Sequence, residues 1–168
     1  ADRSNYIEAT KLSNRDEDRT ASKLGKLAAK EKLAAAVLLT AAGEPYIYYG
    51  EELGMYGTKE QGDEYVRGPM LWGDHTETAY TDKIDKNVAS SITSVSKQQN
   101  DEKSLLNVYI QFAQVRNTYP ALAQGTMSKH CVYNESNTTT GKSIAAWYMT
   151  KDSQKMLVIH NFGSSTVE

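Results

Sequence analysis

The sequence predicts an α/β region over residues 1–124 and an antiparallel β region over 125–168. Three observations carry this. A strand–helix–strand pattern lies between residues 6 and 50, a second amphipathic helix over 101–122, and short β-runs with polar turns follow Gly125. Strand, helix and strand in so short a span form a βαβ unit, with parallel strands and the helix on one face. Short runs joined by turns signal an antiparallel meander.

The elements follow in order. "YIEATKLS" (6–13) has a β-compatible start and leads into the charged stretch "NRDEDR" (14–19). "SKLGKLAAKEKLAAAVLLTAAG" (22–43) is rich in Ala, Leu and Lys, which are strong helix formers. Leu24, Leu27, Ala28, Ala34, Val37 and Leu38 recur at three- and four-residue steps, marking one face for burial. Gly43 sits where a helix cap is expected, and Pro45 bars continuation. "YIYYG" (46–50) predicts a strand closed by glycine, on which Tyr48 and Tyr49 alternate, so that at most one faces inward. From Glu51 to Asp101 the pattern is irregular, and connections of that length carry function or small helices. In "DEKSLLNVYIQFAQVRNTYPAL" (101–122), Leu105, Leu106, Tyr109, Ile110, Phe112, Ala113 and Val115 form a wide apolar side, and Pro120 ends the helix. "KHCVYNES", "SIAAWYMTKD" and "KMLVIHNFG" are the three β-runs, with Trp147 and Tyr148 expected in the core of the β region. Two strands of one kind and three of another make incomplete sheets, so both ends of the chain look cut.

Composition narrows the function classes. The 19 basic and 21 acidic residues nearly cancel, which argues against nucleic acid or an anionic membrane as partner. No apolar run approaches the roughly 18 residues that a transmembrane segment needs. Cys131 is the only cysteine, so no internal disulfide is possible. His75, His130 and His160 are scattered without metal-ligand spacing, so no metal site is expected. "NES" (134–136) and "NTT" (137–139) match the glycosylation pattern, which is frequent by chance. Eleven Tyr against 2 Phe and 2 Trp supply rings with polar tips, suited to sugars and equally ordinary on half-exposed strands.

Several stretches, in order, resemble the α-amylase family of retaining glycosidases. "YIEATKLSNRDEDR" is similar to the family signature in which a strand leads into Asn-His-Asp, matched by Asn14, Arg15 and Asp16. "AGEPYIYYGEELGM" (42–55) resembles the eighth barrel strand, Gly-x-Pro-x-Ile-Tyr-Tyr-Gly-x-Glu. "DEYVRGPMLWGD" (63–74) resembles the Arg-x-Pro-Met-x-Trp stretch that follows it. "SLLNVYIQFAQVRNTYPAL" looks like the last barrel helix, and "IAAWYMTKDSQKMLVIHNFG" like early strands of the following β-sandwich. Within the family, the likeness is to the surface starch-utilisation amylases. The implied fold is the last βα units of a (β/α)8 TIM barrel followed by part of an antiparallel β-sandwich.

The resemblance implies a catalytic part for Asp16: its carboxylate binds two hydroxyls of the sugar being cleaved, more tightly as the ring flattens toward an oxocarbenium ion. From spacing alone Asp16 is a helix-preceding acid, and the set of motifs reverses that. Asn14, Arg15, Arg19 and Trp72 are the implied substrate-binding residues. Arg15 stands where the family has His; it either donates to a sugar hydroxyl or pairs with Asp16. Arg19 either reaches substrate or bridges Glu17 or Glu31. The nucleophile and the acid/base, which such an enzyme needs about 5–5.5 Å apart, are expected upstream of Ala1. The implied partners are an α-glucan (starch, maltooligosaccharides) and the missing N-terminal barrel segment. No cofactor is expected in this chain, with Ca2+ implied for the complete enzyme, and an extracellular or cell-surface location is implied. The rival expectation is a non-catalytic α-glucan-binding fragment.

Overall fold

The computed structural model describes residues 6–73, 94–130 and 143–166. Strand β1 (Ala9–Lys11) pairs in parallel with β2 (Glu44–Tyr46), Thr10 lying opposite Pro45. The crossover expected as one helix is two: α1 (Thr20–Lys23) and α2 (Ala28–Thr40). The break is a glycine cap. Gly25 and Lys26 are left-handed (φ 73° and 58°), the Lys26 amide donates to the Ala21 carbonyl and the Gly25 amide to that of Ser22. This double closure ends a helix whatever the propensity beyond it.

The break also shifts which face is buried. Leu27 is 51% exposed; of the expected face Leu38 is buried, joined by Ala35, Ala36 and Leu39. Ala35 and Leu39 pack on Leu105 and Tyr109 of the long helix, called α5 below. Gly43 lies two residues past the α2 cap, Ala41. A Cβ there would meet the Glu8 carbonyl oxygen at 2.6 Å, so glycine lets the chain close onto the residue before β1. The strand expected over 46–50 covers Glu44–Tyr46, and the chain turns at Tyr49–Gly50.

After β2 come 3-10 turns at Glu51–Leu53 and Lys59–Gln61, then short helices α3 (Asp63–Val66) and α4 (Val95–Gln98). Helix α5 (Leu105–Thr118) starts at Ser104, whose hydroxyl accepts from the Asn107 amide. Its predicted apolar side is half correct: Leu105 and Tyr109 are buried, whereas Ile110 and Val115 are 40% and 38% exposed. As expected, α5 stops just before Pro120, with Tyr119 extended; Pro120 also opens α6 (Pro120–Gln124), since its fixed φ and missing N–H suit a first helical position. Buried Arg116 donates to the carbonyls of Leu39, Ala41, Gly43 and Ala123, tying α5 to the turn entering β2.

Strands β3 (Thr126–Lys129), β4 (Ile144–Lys151) and β5 (Gln154–Asn161) form an antiparallel sheet in that order. The predicted run at 129–136 therefore begins earlier, at Thr126; residues 131–136 with Cys131, like His75 and both glycosylation patterns, lie outside the described residues. Met149 and Val158 pack on Ala121 and Leu122. Trp147 and Tyr148 are half-buried, Trp147 packing against that cluster and Tyr148 lying outside it. Trp147 donates from Nε1 to the Thr40 carbonyl (3.3 Å), and His160 Nε2 lies 2.9 Å from the Thr40 hydroxyl. The sheet thus docks on the end of α2. Burial lowers the pKa of His160.

Candidate active site

The loop between β1 and α1 carries Asn14, Arg15, Asp16 and Arg19, at the carboxyl end of a parallel strand. Asn14 shapes its tip: its Oδ1 accepts from the Asp16 amide at 2.8 Å, and its Nδ2 donates to Glu17 Oε1 at 2.9 Å. Such a side-chain turn makes a short polar residue at this position more than filler. Glu17 also accepts from Lys11 and Lys23, at 2.5 and 2.8 Å. The hydrogen bonds from Lys11, then Lys23, hold its carboxyl down at about 2.

Asp16 points outward, its side chain 60% exposed, into a cluster of charges. Arg67 Nη2 donates to Oδ1 at 3.0 Å, Arg15 Nε lies 3.5 Å from Oδ2, and Lys59 Nζ is 3.9 Å from Oδ1. Arg67 also donates from Nε to the Arg15 carbonyl and pairs with Asp63, as does Lys59. The bond from Lys59, with the charge of Arg67, lowers the Asp63 pKa. Of the two options for Arg15, the structure therefore has it paired with Asp16. Arg67 is the site residue that sequence reasoning missed. It lies far along an irregular stretch, and its only signal is its place in the Arg-x-Pro-Met-x-Trp motif.

Arg19 bridges neither Glu17 nor Glu31. It is 1% exposed, donates from Nη1 to the Tyr49 carbonyl at 2.8 Å, and its guanidinium lies 4.8 and 5.0 Å from the ring centres of Tyr48 and Tyr49. Burial is the main influence lowering its pKa. The two tyrosines do not alternate, because the strand ends at Tyr46. Their rings meet edge-on at 4.8 Å, and their hydroxyls donate to the Val66 and Gly68 carbonyls. They hold the Arg67 segment over the loop. Further stitches run from the Arg19 amide to the Gly57 carbonyl and from the Lys59 amide to Asp18. Trp72 is 59% exposed, an open ring face with no bond to the Asp16 loop.

Among the described residues, Asp16 borders neither a cavity of about 370 Å³ nor one of about 830 Å³. The larger is bordered by Tyr6, Ile7 and Thr10 beside β1 and by Gln124 and Met127. The Asp16 carboxylate sits on an open face. Among the described residues no group of three or more His, Cys, Asp or Glu is placed to hold a metal ion. Asp16 and Asp63 already face three cations, surroundings unfit for calcium.

Parallel strands joined by a right-sized helical crossover, a carboxylate beyond the strand end and a trailing antiparallel sheet define a class: the closing units of a (β/α)8 barrel with a β domain behind it. Residues 2–125 match the alpha amylase catalytic domain and residues 144–168 the alpha-amylase SusG C-terminal domain; the chain belongs to the α-amylase family. It is 67% identical over 166 residues to alpha-amylase SusG of Bacteroides thetaiotaomicron, covering 99% of this chain and 24% of that protein. It is 31% identical over 159 residues to alpha-amylase 3 of Dictyoglomus thermophilum, covering 93% and 30%. The crystal structure of an alpha-amylase from H. orenii superposes with a TM-score of 0.80 at 30% identity, over 95% of this chain and 30% of that one. The chain thus spans about a quarter to a third of the length of these relatives. Its fold is the end of a TIM barrel followed by part of a β-sandwich. No helix among the described residues is long and apolar enough to cross a membrane.

Proposed function

We propose that this chain forms the C-terminal part of a retaining α-glucan hydrolase, with residues 1–124 in the catalytic barrel and 125–168 in the β-sandwich domain. The observation that carries the reading is an exposed Asp16 just past the carboxyl end of β1, in a stretch that resembles the family signature. Asp16 accepts hydrogen bonds from two adjacent hydroxyls of the bound glucose unit. These bonds shorten as the ring flattens and positive charge grows at the anomeric carbon, which stabilises the transition state over the ground state. Asp16 neither attacks nor protonates; the nucleophile and the acid/base come from the preceding barrel strands. To take the sugar, Asp16 exchanges its bonds with Arg67 and Arg15 for sugar hydroxyls. Asn14 holds the loop tip, Arg19 acts from beneath rather than by touching substrate, and Trp72 offers a stacking face.

The substrates are starch-like α-glucans, and the relatives' names as alpha-amylases support that class. A cell-surface location goes with the same likeness, and antibody labelling of intact cells tests it. In the full-length enzyme, Asp16→Asn lowers kcat on maltooligosaccharides at least about a hundred-fold, the scale of one lost transition-state donor or acceptor. Trp72→Ala acts mainly on KM. The non-catalytic reading predicts instead glucan binding, read by calorimetry with maltoheptaose, that survives Asp16→Asn and is lost in Trp72→Ala.

A further inference from the structure

Glu51 is a buried carboxylate (5% exposed) outside the reacting groups, and three hydroxyls converge on it. Ser13 and Thr20 donate to its Oε2 at 2.9 and 2.6 Å, and the Tyr109 phenol donates to Oε1 at 2.8 Å. The Ser13 and Thr20 hydroxyls are themselves 3.0 Å apart. The partners belong to three parts of the fold. Ser13 follows β1, Thr20 opens α1, and Tyr109 lies inside α5, buried at 4% exposure. Burial first, and then Glu51, raise the Tyr109 pKa, so its phenol stays a donor.

Ser13 and Thr20 are the two ends of the loop that carries Asn14, Arg15, Asp16 and Arg19. One carboxylate therefore closes the mouth of that loop and fastens it to the long helix. We infer that Glu51 is a positioning residue for Asp16, setting where its carboxylate meets the sugar. The inference rests on the catalytic reading of Asp16 above. A carboxylate suits the place because it only accepts, and every neighbour presents a hydroxyl proton. A glutamine keeps the size yet offers one oxygen, so one side of the clamp faces an NH2 group and must reverse its bonds.

The test uses the full-length enzyme and a chromogenic maltooligosaccharide reactive enough to give a rate without Asp16. Glu51→Gln is expected to lower kcat by about ten-fold or more, since small misplacements of a reacting group have effects of that order. KM should change by less than about three-fold, because an unreactive sugar chain binds through many other contacts. Tyr109→Phe, which keeps the ring and releases one bond, should lower kcat in the same sense and to a smaller degree. The deciding variant is the double one. If Glu51 acts through Asp16, adding Glu51→Gln to Asp16→Asn lowers kcat no further. Losses that multiply in the double variant overturn the inference, as does a kcat within two-fold of the parent in both Glu51→Gln and Tyr109→Phe while Asp16→Asn is impaired. An Asp16→Asn enzyme with full activity is a different result: it overturns the catalytic reading, and the positioning role falls with it.

Discussion

The loop after β1 is held at its tip and at its base by opposite kinds of chemistry. At the tip, Asp16 meets Arg67, Arg15 and Lys59 in an open cluster, with side chains 37% to 75% exposed. At the base, Glu51 is buried and meets only neutral hydroxyls. Exposed ion pairs are screened and worth about 0–1 kcal/mol each. Buried donors and acceptors are costly to leave unpaired, at about 1–3 kcal/mol per group. The loop is thus fixed firmly at its base, while Asp16 at its tip keeps partners it can exchange, the division that the proposed catalytic reading needs.

The largest effect that would break this comparison lies at the base. Glu51→Ala strands two buried hydroxyls and a buried phenol, and should destabilise by about 3 kcal/mol in urea unfolding. A loss no greater than that of a surface variant removes the contrast. At the tip, Arg67→Ala should change stability by no more than about 1 kcal/mol, with a difference that shrinks as salt is raised. A larger, salt-insensitive loss would mean the tip is built like the base.

The smallest effect concerns pH. Lys11 and Lys23 depress the Glu17 carboxyl from 4.5 to about 2 in the folded state. A depressed carboxyl stabilises the fold above its unfolded value, and that contribution disappears as pH falls through the folded one. Glu17→Gln should therefore lower the melting temperature slightly at pH 7 and make it less dependent on pH between 4.5 and 2, the two proteins converging as pH approaches 2. NMR titration of the Glu17 side chain measures the same shift directly.

Much of the architecture was legible in the residues. The parallel pair, the helical crossover and the antiparallel sheet each leave a periodic signature, and these three survive in the structure. The boundaries did not survive as well. A single Gly25 amid strong helix formers costs only about 1 kcal/mol as a helix interior, so nothing local marks it as a cap. Only the bonds to Ala21 and Ser22 do. Pro120 carries two meanings, an ending and a first turn, and both hold: the long helix stops before it, and the packing of Ala121 and Leu122 on Met149 adds the second, which the sequence did not announce.

The site divides in the same way. The place of Asp16 and Asn14 on the loop after a strand was legible, because their order there resembles a motif. Arg19 was legible as important and misread in manner, since charge suggests contact with solvent and the structure buries it beneath two tyrosines. The contacts of Glu51 and Arg67 were not legible, although Arg67 opens a stretch that resembles a family motif. Their partners lie 31 to 58 residues away for Glu51 among Thr20, Ser13 and Tyr109, and 51 for Arg67 with Asp16, distances at which no periodicity speaks.

The most direct test of the account is a crystal structure of the full-length enzyme with an unreactive maltooligosaccharide in its active site. The account predicts two adjacent sugar hydroxyls within hydrogen-bond distance of the Asp16 carboxylate, with the Arg15 and Arg67 bonds to it exchanged. A bound sugar whose hydroxyls are held elsewhere, with Asp16 still paired to Arg67 and facing solvent, would contradict it.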